Sequence, residues 1–313
     1  MTSMSKLLAI AAVPDLMAAK LATTAMKIDS HAHVFLRTLK MARLHRYLPK
    51  FDASVDSYLS LLDEFHVTNG VIIQPSFLGT DNHYLLSALE RHPHRLRGIV
   101  VIDPAHDLEK LEDWNRTGCA GIRFNLFDLP DPVLSDPSWR RALRKIRELD
   151  WQVELHVEAR RLPELMPALL DAGVKVVVDH FGRPDPALGV NDPGFHYLLS
   201  LADSQRVWVK ISAAYRTGGH VRGEKFALQA VPLLKKSFGL SRMIWGSDWP
   251  HTQFEKSENY RSAYEFLLRM LPAPAERDVV LGSTPGELYG FGNRPLSAPH
   301  IASPLRGTKV QRV

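Results

Sequence analysis

A single (β/α)8 barrel of the α/β class is the fold this sequence predicts, on three observations. Eight short apolar, β-branched runs are each followed by a longer segment in which apolar residues recur at helical spacing. Together they occupy about 265 of the 313 residues, a normal span for eight such units in one domain. No glycine-rich phosphate loop follows the first run, which counts against an open doubly wound sheet. In chain order the runs are 27–31, 70–75, 98–102, 120–124, 152–157, 175–180, 207–211 and 243–245. Helical faces between them are marked by Tyr58, Leu61, Leu62 and Phe65, then by Leu85, Leu86 and Leu89. Leu143, Ile146 and Leu149 mark a third, and Phe266, Leu267 and Met270 a late one.

The ends read as appendages. Residues 1–26 hold a short apolar run behind a single lysine, Lys6, too weak a start for a secretory leader, and are expected to be a mobile extension. The barrel is expected over 27–295, and a disordered tail rich in Pro, Ser, Ala and Gly over 296–313. Of the net charge of +5, the tail carries +3 and the first 26 residues +1. The body therefore keeps only +1, and no broad basic face for nucleic acid is expected. No apolar stretch is long enough to span a bilayer. Cys119 stands alone, which excludes an internal disulfide and suits the cytoplasm. A homo-oligomer is left open.

Fourteen histidines are the compositional anomaly. Barrel active sites gather where the strands end, and the apolar runs stop at suitable chemistry. The first ends in His31-Ala32-His33, whose alternation puts both imidazoles on one side of the strand. The fifth ends in Glu154-Leu155-His156, the sixth in Asp179-His180 and the eighth in Ser247-Asp248. Imidazole nitrogens with one carboxylate suit zinc or another first-row divalent ion. Taken singly, each has a plainer role: His-X-His pairs arise by chance, and Asp248 could cap a helix. Joint placement at four strand ends is what favours a site. The ten other histidines, such as His45, His66, His92, His94 and His106, read as solvated surface groups.

These residues resemble the amidohydrolase superfamily. Finer strings narrow the resemblance: Gln74-Pro75-Ser76, Gly79-Thr80-Asp81-Asn82, Gly121-Ile122-Arg123-Phe124-Asn125, Asp179-His180-Phe181-Gly182-Arg183-Pro184 and Gly246-Ser247-Asp248-Trp249-Pro250-His251. They are similar to the branch holding the 2-pyrone-4,6-dicarboxylate and 4-sulfomuconolactone hydrolases, over residues 27–292. The resemblance implies an amidohydrolase-type barrel that hydrolyses an anionic lactone in bacterial breakdown of aromatic compounds. It also implies one divalent ion, zinc by preference, approached by His31, His33, His156 and Asp248. His180 would orient water or the carbonyl, or be a ligand itself. Asp248 would be the general base. Arg123 stands where two-metal members offer a bridging lysine or glutamate, and a guanidinium cannot ligate, so one ion is expected.

Two departures bear on mechanism. The pyrone lactonase, which works without metal, carries tyrosine where His156 stands. It also has a second arginine where this chain reads Asn125-Leu126-Phe127-Asp128-Leu129. Both departures favour the metal-using, sulfomuconolactone type. Arg123, Arg183 and Arg216, each just beyond a strand, are candidate clamps for carboxylate or sulfonate, with surface salt bridges as the plain alternative. Ser76, Tyr47 and His251 are further candidates for substrate contact. The loop 34–52, with Arg37, Lys40, Arg43, Arg46 and Lys50, reads equally as a cover that draws in anions and as a solvated basic loop. A metal-independent pyrone lactonase, a zinc-dependent decarboxylase and a barrel with a dead site are the alternatives.

Overall fold

The computed structural model describes residues 25–43 and 47–292. The readings made for the extension up to residue 24, for the tail 296–313 and for His45 and Arg46 lie outside the described residues.

Eight parallel strands alternate with eight principal helices and pair strictly in chain order. They are β1 (Ile28–Ala32), α1 (Val55–Glu64), β2 (Asn69–Ile73), α2 (His83–Arg91), β3 (Leu96–Val100), α3 (Leu111–Thr117), β4 (Cys119–Asn125) and α4 (Pro137–Glu148). The second half continues with β5 (Gln152–His156), α5 (Leu162–Asp171), β6 (Lys175–Val178), α6 (Pro193–Ser200), β7 (Val207–Lys210), α7 (His220–Phe238), β8 (Met243–Ile244) and α8 (Tyr260–Met270). The ring closes through backbone hydrogen bonds from β1 to the segment after β8: Ser30 N to Trp245 O at 2.9 Å, Asp248 N to His31 O at 2.8 Å and His33 N to Trp249 O at 2.7 Å. This is the (β/α)8 barrel expected from the sequence. One strand differs notably: β3 begins at Leu96, two residues before the expected start, because Arg97 is buried in it. Its guanidinium donates to the carbonyls of Pro93 and Leu96 at 2.8 Å, so the charge does not end the strand.

Alternation along the strands sorts side chains into two cores. Outward residues such as Ile72, Val100, Ile122, Val153 and Val178 pack under the helices, where Tyr58, Leu62, Leu85, Leu89, Leu143 and Ile146 meet them. Inward residues Ile28, Val71, Ile73, Ile99, Ala120, Val177 and Ile244 fill the barrel itself. The short α9 (Pro274–Asp278) and α10 (Thr284–Leu288) then bring Leu288, Tyr289 and Phe291 under that interior and seal it. Among the described residues no helix is long and apolar enough to cross a membrane.

Candidate active site

At the C-terminal ends of the strands the inward positions turn from apolar to ionisable. His31, Arg123, Glu154, Asp179, His180, Lys210 and Asp248 are all buried there. The eighth corner is built by close approach. A Cβ on Gly246 would lie 2.3 Å from the His31 Cβ and 2.6 Å from its backbone nitrogen, so only glycine lets the two segments meet. Buried Asp29 then grips the neighbouring residue, accepting from Ser247 N at 2.8 Å and Ser247 Oγ at 2.6 Å. Asp248 follows with φ of 61°. His180, Phe181, Gly182 and Arg183 form a run of positive φ after β6, and three of the four are not glycine. Such backbone costs about 1–2 kcal/mol per residue and is kept where the surroundings enforce it. Here it aims His180 and Arg183 into one cavity.

That cavity, of about 270 Å³, is lined by His33, Tyr47, Ser76, Arg123, His156, His180, Arg183, Arg216 and Asp248, with Phe127 and Phe254 among the apolar walls. Asp248 has two different faces. Its Oδ2 accepts from Arg216 Nε at 2.7 Å and from the Tyr215 hydroxyl. Its Oδ1 is buried without a hydrogen-bond partner among the described residues. That oxygen lies 3.6 Å from His31 Nε2, 3.9 Å from His33 Nε2 and 3.8 Å from His180 Nε2. Burial pushes the carboxyl up, but Arg216 and then His180, His31 and His33 outweigh it and hold Asp248 well below the usual carboxylate range. An ionised carboxylate with one oxygen tied and the other unpartnered among the described residues is able to take up a proton at that second oxygen.

The imidazoles are neutral. Burial, with Arg123 nearby, pushes His33 down to about 4. Burial likewise holds His180 down, to about 3, against the upward pull of Asp248 and Asp179. Ring partners fix the hydrogens. His33 Nδ1 donates to the Ile73 carbonyl at 2.8 Å, which leaves Nε2 as an acceptor. His31 Nδ1 lies 3.0 Å from Lys210 Nζ and 3.5 Å from Asp179 Oδ1, and its Nε2 lies 3.3 Å from His33 Nε2. Lys210 also donates to Glu154 at 2.7 Å and pairs with Asp179 at 3.0 Å. His180 Nδ1 meets Ser212 Oγ at 2.8 Å.

The remaining residues singled out in the sequence are placed as follows. His31, His33 and Asp248 form one group of potential ligand atoms, and His31, His180 and Asp179 another. His156 lines the same cavity outside both groups: its Nδ1 meets Asn125 Oδ1 at 3.0 Å and its Nε2 faces Arg183 Nη1 at 3.4 Å. Arg123 is buried, 3.4 Å from the Gln74 carbonyl and 3.5 Å from Asp179. Tyr47, from the long first loop, donates to Glu255 across the mouth. His251, a candidate for substrate contact, is not among the residues lining the cavity. It is 2% exposed, 3.2 Å from the Tyr215 hydroxyl, behind that ring. Lys210, Tyr215 and Phe127 received no role in the sequence reading. The signal for Lys210 was a charge inside the apolar run of β7; Tyr215 and Phe127 carried none.

The sequence model of the amidohydrolase family matches residues 28–291. The chain belongs to the amidohydrolase family. Among curated amidohydrolase relatives, the 4-sulfomuconolactone hydrolase of Hydrogenophaga intermedia is 30% identical over 270 residues, covering 84% of this chain and 88% of that one. The 2-pyrone-4,6-dicarboxylate hydrolase of Comamonas testosteroni is 30% identical over 274 residues, covering 84% and 89%. A solved structure from Acinetobacter baumannii, named as a probable 2-pyrone-4,6-dicarboxylic acid hydrolase with citric acid bound, superposes with a TM-score of 0.82 at 40% identity. It covers 85% of this chain and 99% of its own.

Proposed function

We propose that this amidohydrolase opens a lactone bearing acidic substituents, of the sulfomuconolactone or muconolactone kind, in the degradation of aromatic compounds. The observation that carries this reading is a fixed, ionised Asp248 beside neutral His180 in a cavity ringed by Arg123, Arg183 and Arg216. Asp248 Oδ1 takes a proton from water, and the water oxygen bonds to the lactone carbonyl carbon. His180, with Nδ1 engaged by Ser212, turns Nε2 to the carbonyl oxygen as charge develops there. The ring C–O bond breaks, and the departing oxygen takes its proton back from Asp248 or solvent. Arg123 and Arg183 meet the acidic substituents, and Ser76 and Tyr47 line the same cavity. Arg216 holds Asp248 as well as facing the cavity.

A divalent ion fits part of this donor set. Bonds of about 2.0–2.2 Å to a tetrahedral ion put its ligands about 3.3–3.6 Å apart, and His31 Nε2, His33 Nε2 and Asp248 Oδ1 stand 3.3, 3.6 and 3.9 Å from one another. Those three residues would hold a zinc-like ion, with His180 at the edge, and His156 would need to leave Arg183 to join. When bound, such an ion supplies Lewis-acid polarisation. One observation favours a second, metal-independent course: Lys210 Nζ stands 3.0 Å from His31 Nδ1, and an ammonium donating there requires the ring hydrogen on Nε2, the nitrogen a metal needs bare.

Two measurements decide. Elemental analysis of purified protein is expected to find about one divalent ion per chain, lost in the His31→Asn, His33→Asn double variant; full activity without metal establishes the second course. A dianionic lactone is expected to be turned over at least about 10-fold faster than its neutral ester, since charge-assisted hydrogen bonds contribute about 1.5–3 kcal/mol each. Equal turnover removes the anionic-lactone reading, and release of carbon dioxide replaces it with a decarboxylase.

A further inference from the structure

The three cavity arginines are not equivalent. Arg216 is bonded to Asp248 at 2.7 Å, and Arg123 lies 3.5 Å from Asp179. Arg183 has no carboxylate within 4.0 Å among the described residues, although most of its side chain is removed from water. Two side chains hold it instead. Its Cζ lies 4.1 Å over the Phe127 ring, and its Nη1 donates to His156 Nε2 at 3.4 Å. Those two rings are stacked on each other, 5.6 Å between centroids and 12° from parallel. Asn125 Oδ1, 3.0 Å from His156 Nδ1, accepts the ring's single N–H and so leaves Nε2 as the acceptor that Arg183 needs.

We infer that Phe127 and His156 are positioning residues that hold Arg183 as the receptor for a second acidic group on the substrate, and so set selectivity for diacids over monoacids. The inference rests on the anionic-lactone reading and deepens it. A guanidinium with one face on an aromatic ring and one Nη engaged by an imidazole keeps its remaining N–H fork in a fixed plane, as bidentate recognition of an oxyanion requires. It also gives the histidine on β5 an occupation other than metal binding.

The test is equilibrium binding, by calorimetry, of benzene-1,3-dicarboxylate, 3-sulfobenzoate and benzoate to the protein as purified. The parent is expected to bind at least one of the two diacids about 10-fold or more tightly than benzoate; which one shows whether carboxylate or sulfonate is the natural group. His156→Phe, which keeps the stack and deletes the acceptor, and Phe127→Leu, which keeps the acceptor and deletes the stack, should each lower diacid affinity about 3- to 10-fold. Benzoate affinity should be unchanged, and His156→Gln, which restores an acceptor, should recover part of the loss. Equal loss for mono- and diacids, or none, overturns the positioning role. A parent that does not distinguish the ligands overturns Arg183 as receptor. If the diacid pattern holds but no lactone is opened, the positioning inference stands and the lactonase reading alone falls.

Discussion

The floor and the mouth of the barrel are built on the same eight strands with the same alternation, yet by different rules. The floor is Ile28, Val71, Ile73, Ile99, Ala120, Val177 and Ile244, closed by Leu288, Tyr289 and Phe291. A few residues further along, the inward positions hold Lys210, Glu154, Asp179, His31, Arg123 and Asp248. Apolar burial is non-directional, so any side chains of suitable volume serve the floor. Buried charges are tolerated only with their partners, so at the mouth each residue is specified by the others. Stability is spread over the floor, while the mouth concentrates risk in a few pairs.

Substitution can break that contrast. The largest effect is expected for Lys210→Met, which leaves Glu154 and Asp179 buried without their shared cation. Removing one partner of a buried ion pair costs about 3–5 kcal/mol, and adding Glu154→Gln should return part of it. Urea unfolding measures both, and a loss below about 1 kcal/mol for Lys210→Met would place the ammonium outside the pairing. Next comes Asp248→Asn, which keeps the shape and removes the base. Turnover should fall by about 10² or more while the circular dichroism spectrum is retained; near-parental turnover removes Asp248 from the mechanism. Smallest is Ile99→Val on the floor, about 0.5–1.5 kcal/mol of stability with kcat/KM unchanged. A larger change in kcat/KM than in stability would mean that the two regions are mechanically coupled.

The same contrast explains what could be read in advance. Strands and helices were legible because burial imposes a period of 2 or 3.6 on the chain, and the floor obeys it. His31, His33, His180 and Asp248 were legible as types, since ionisable groups at the ends of apolar runs need a reason. Their partners were not. Lys210 meets Glu154 from 56 residues away, and Tyr215 reaches Asp248 from 33, contacts that no local pattern encodes. His156 shows the limit most plainly. Its position at a strand end was readable, but its hydrogen bond to Arg183 depends on the backbone turn at Arg183, which has φ of 51° without being glycine. His251 was legible as part of the string after Asp248, but its burial against Tyr215 was not.

Tyr289 carries a consequence for the order in which the molecule can be assembled. Its hydroxyl donates to Glu154 Oε1 at 2.9 Å, from below, while Lys210 donates to the other oxygen from above. Glu154 lies near the middle of the chain and its two donors arrive 56 and 135 residues later. Both donors are therefore synthesised after the carboxylate, and its full set of partners exists only once residue 289 has been added. The last turn of the described chain is thus the bolt that lets the ionic interior become a solid one.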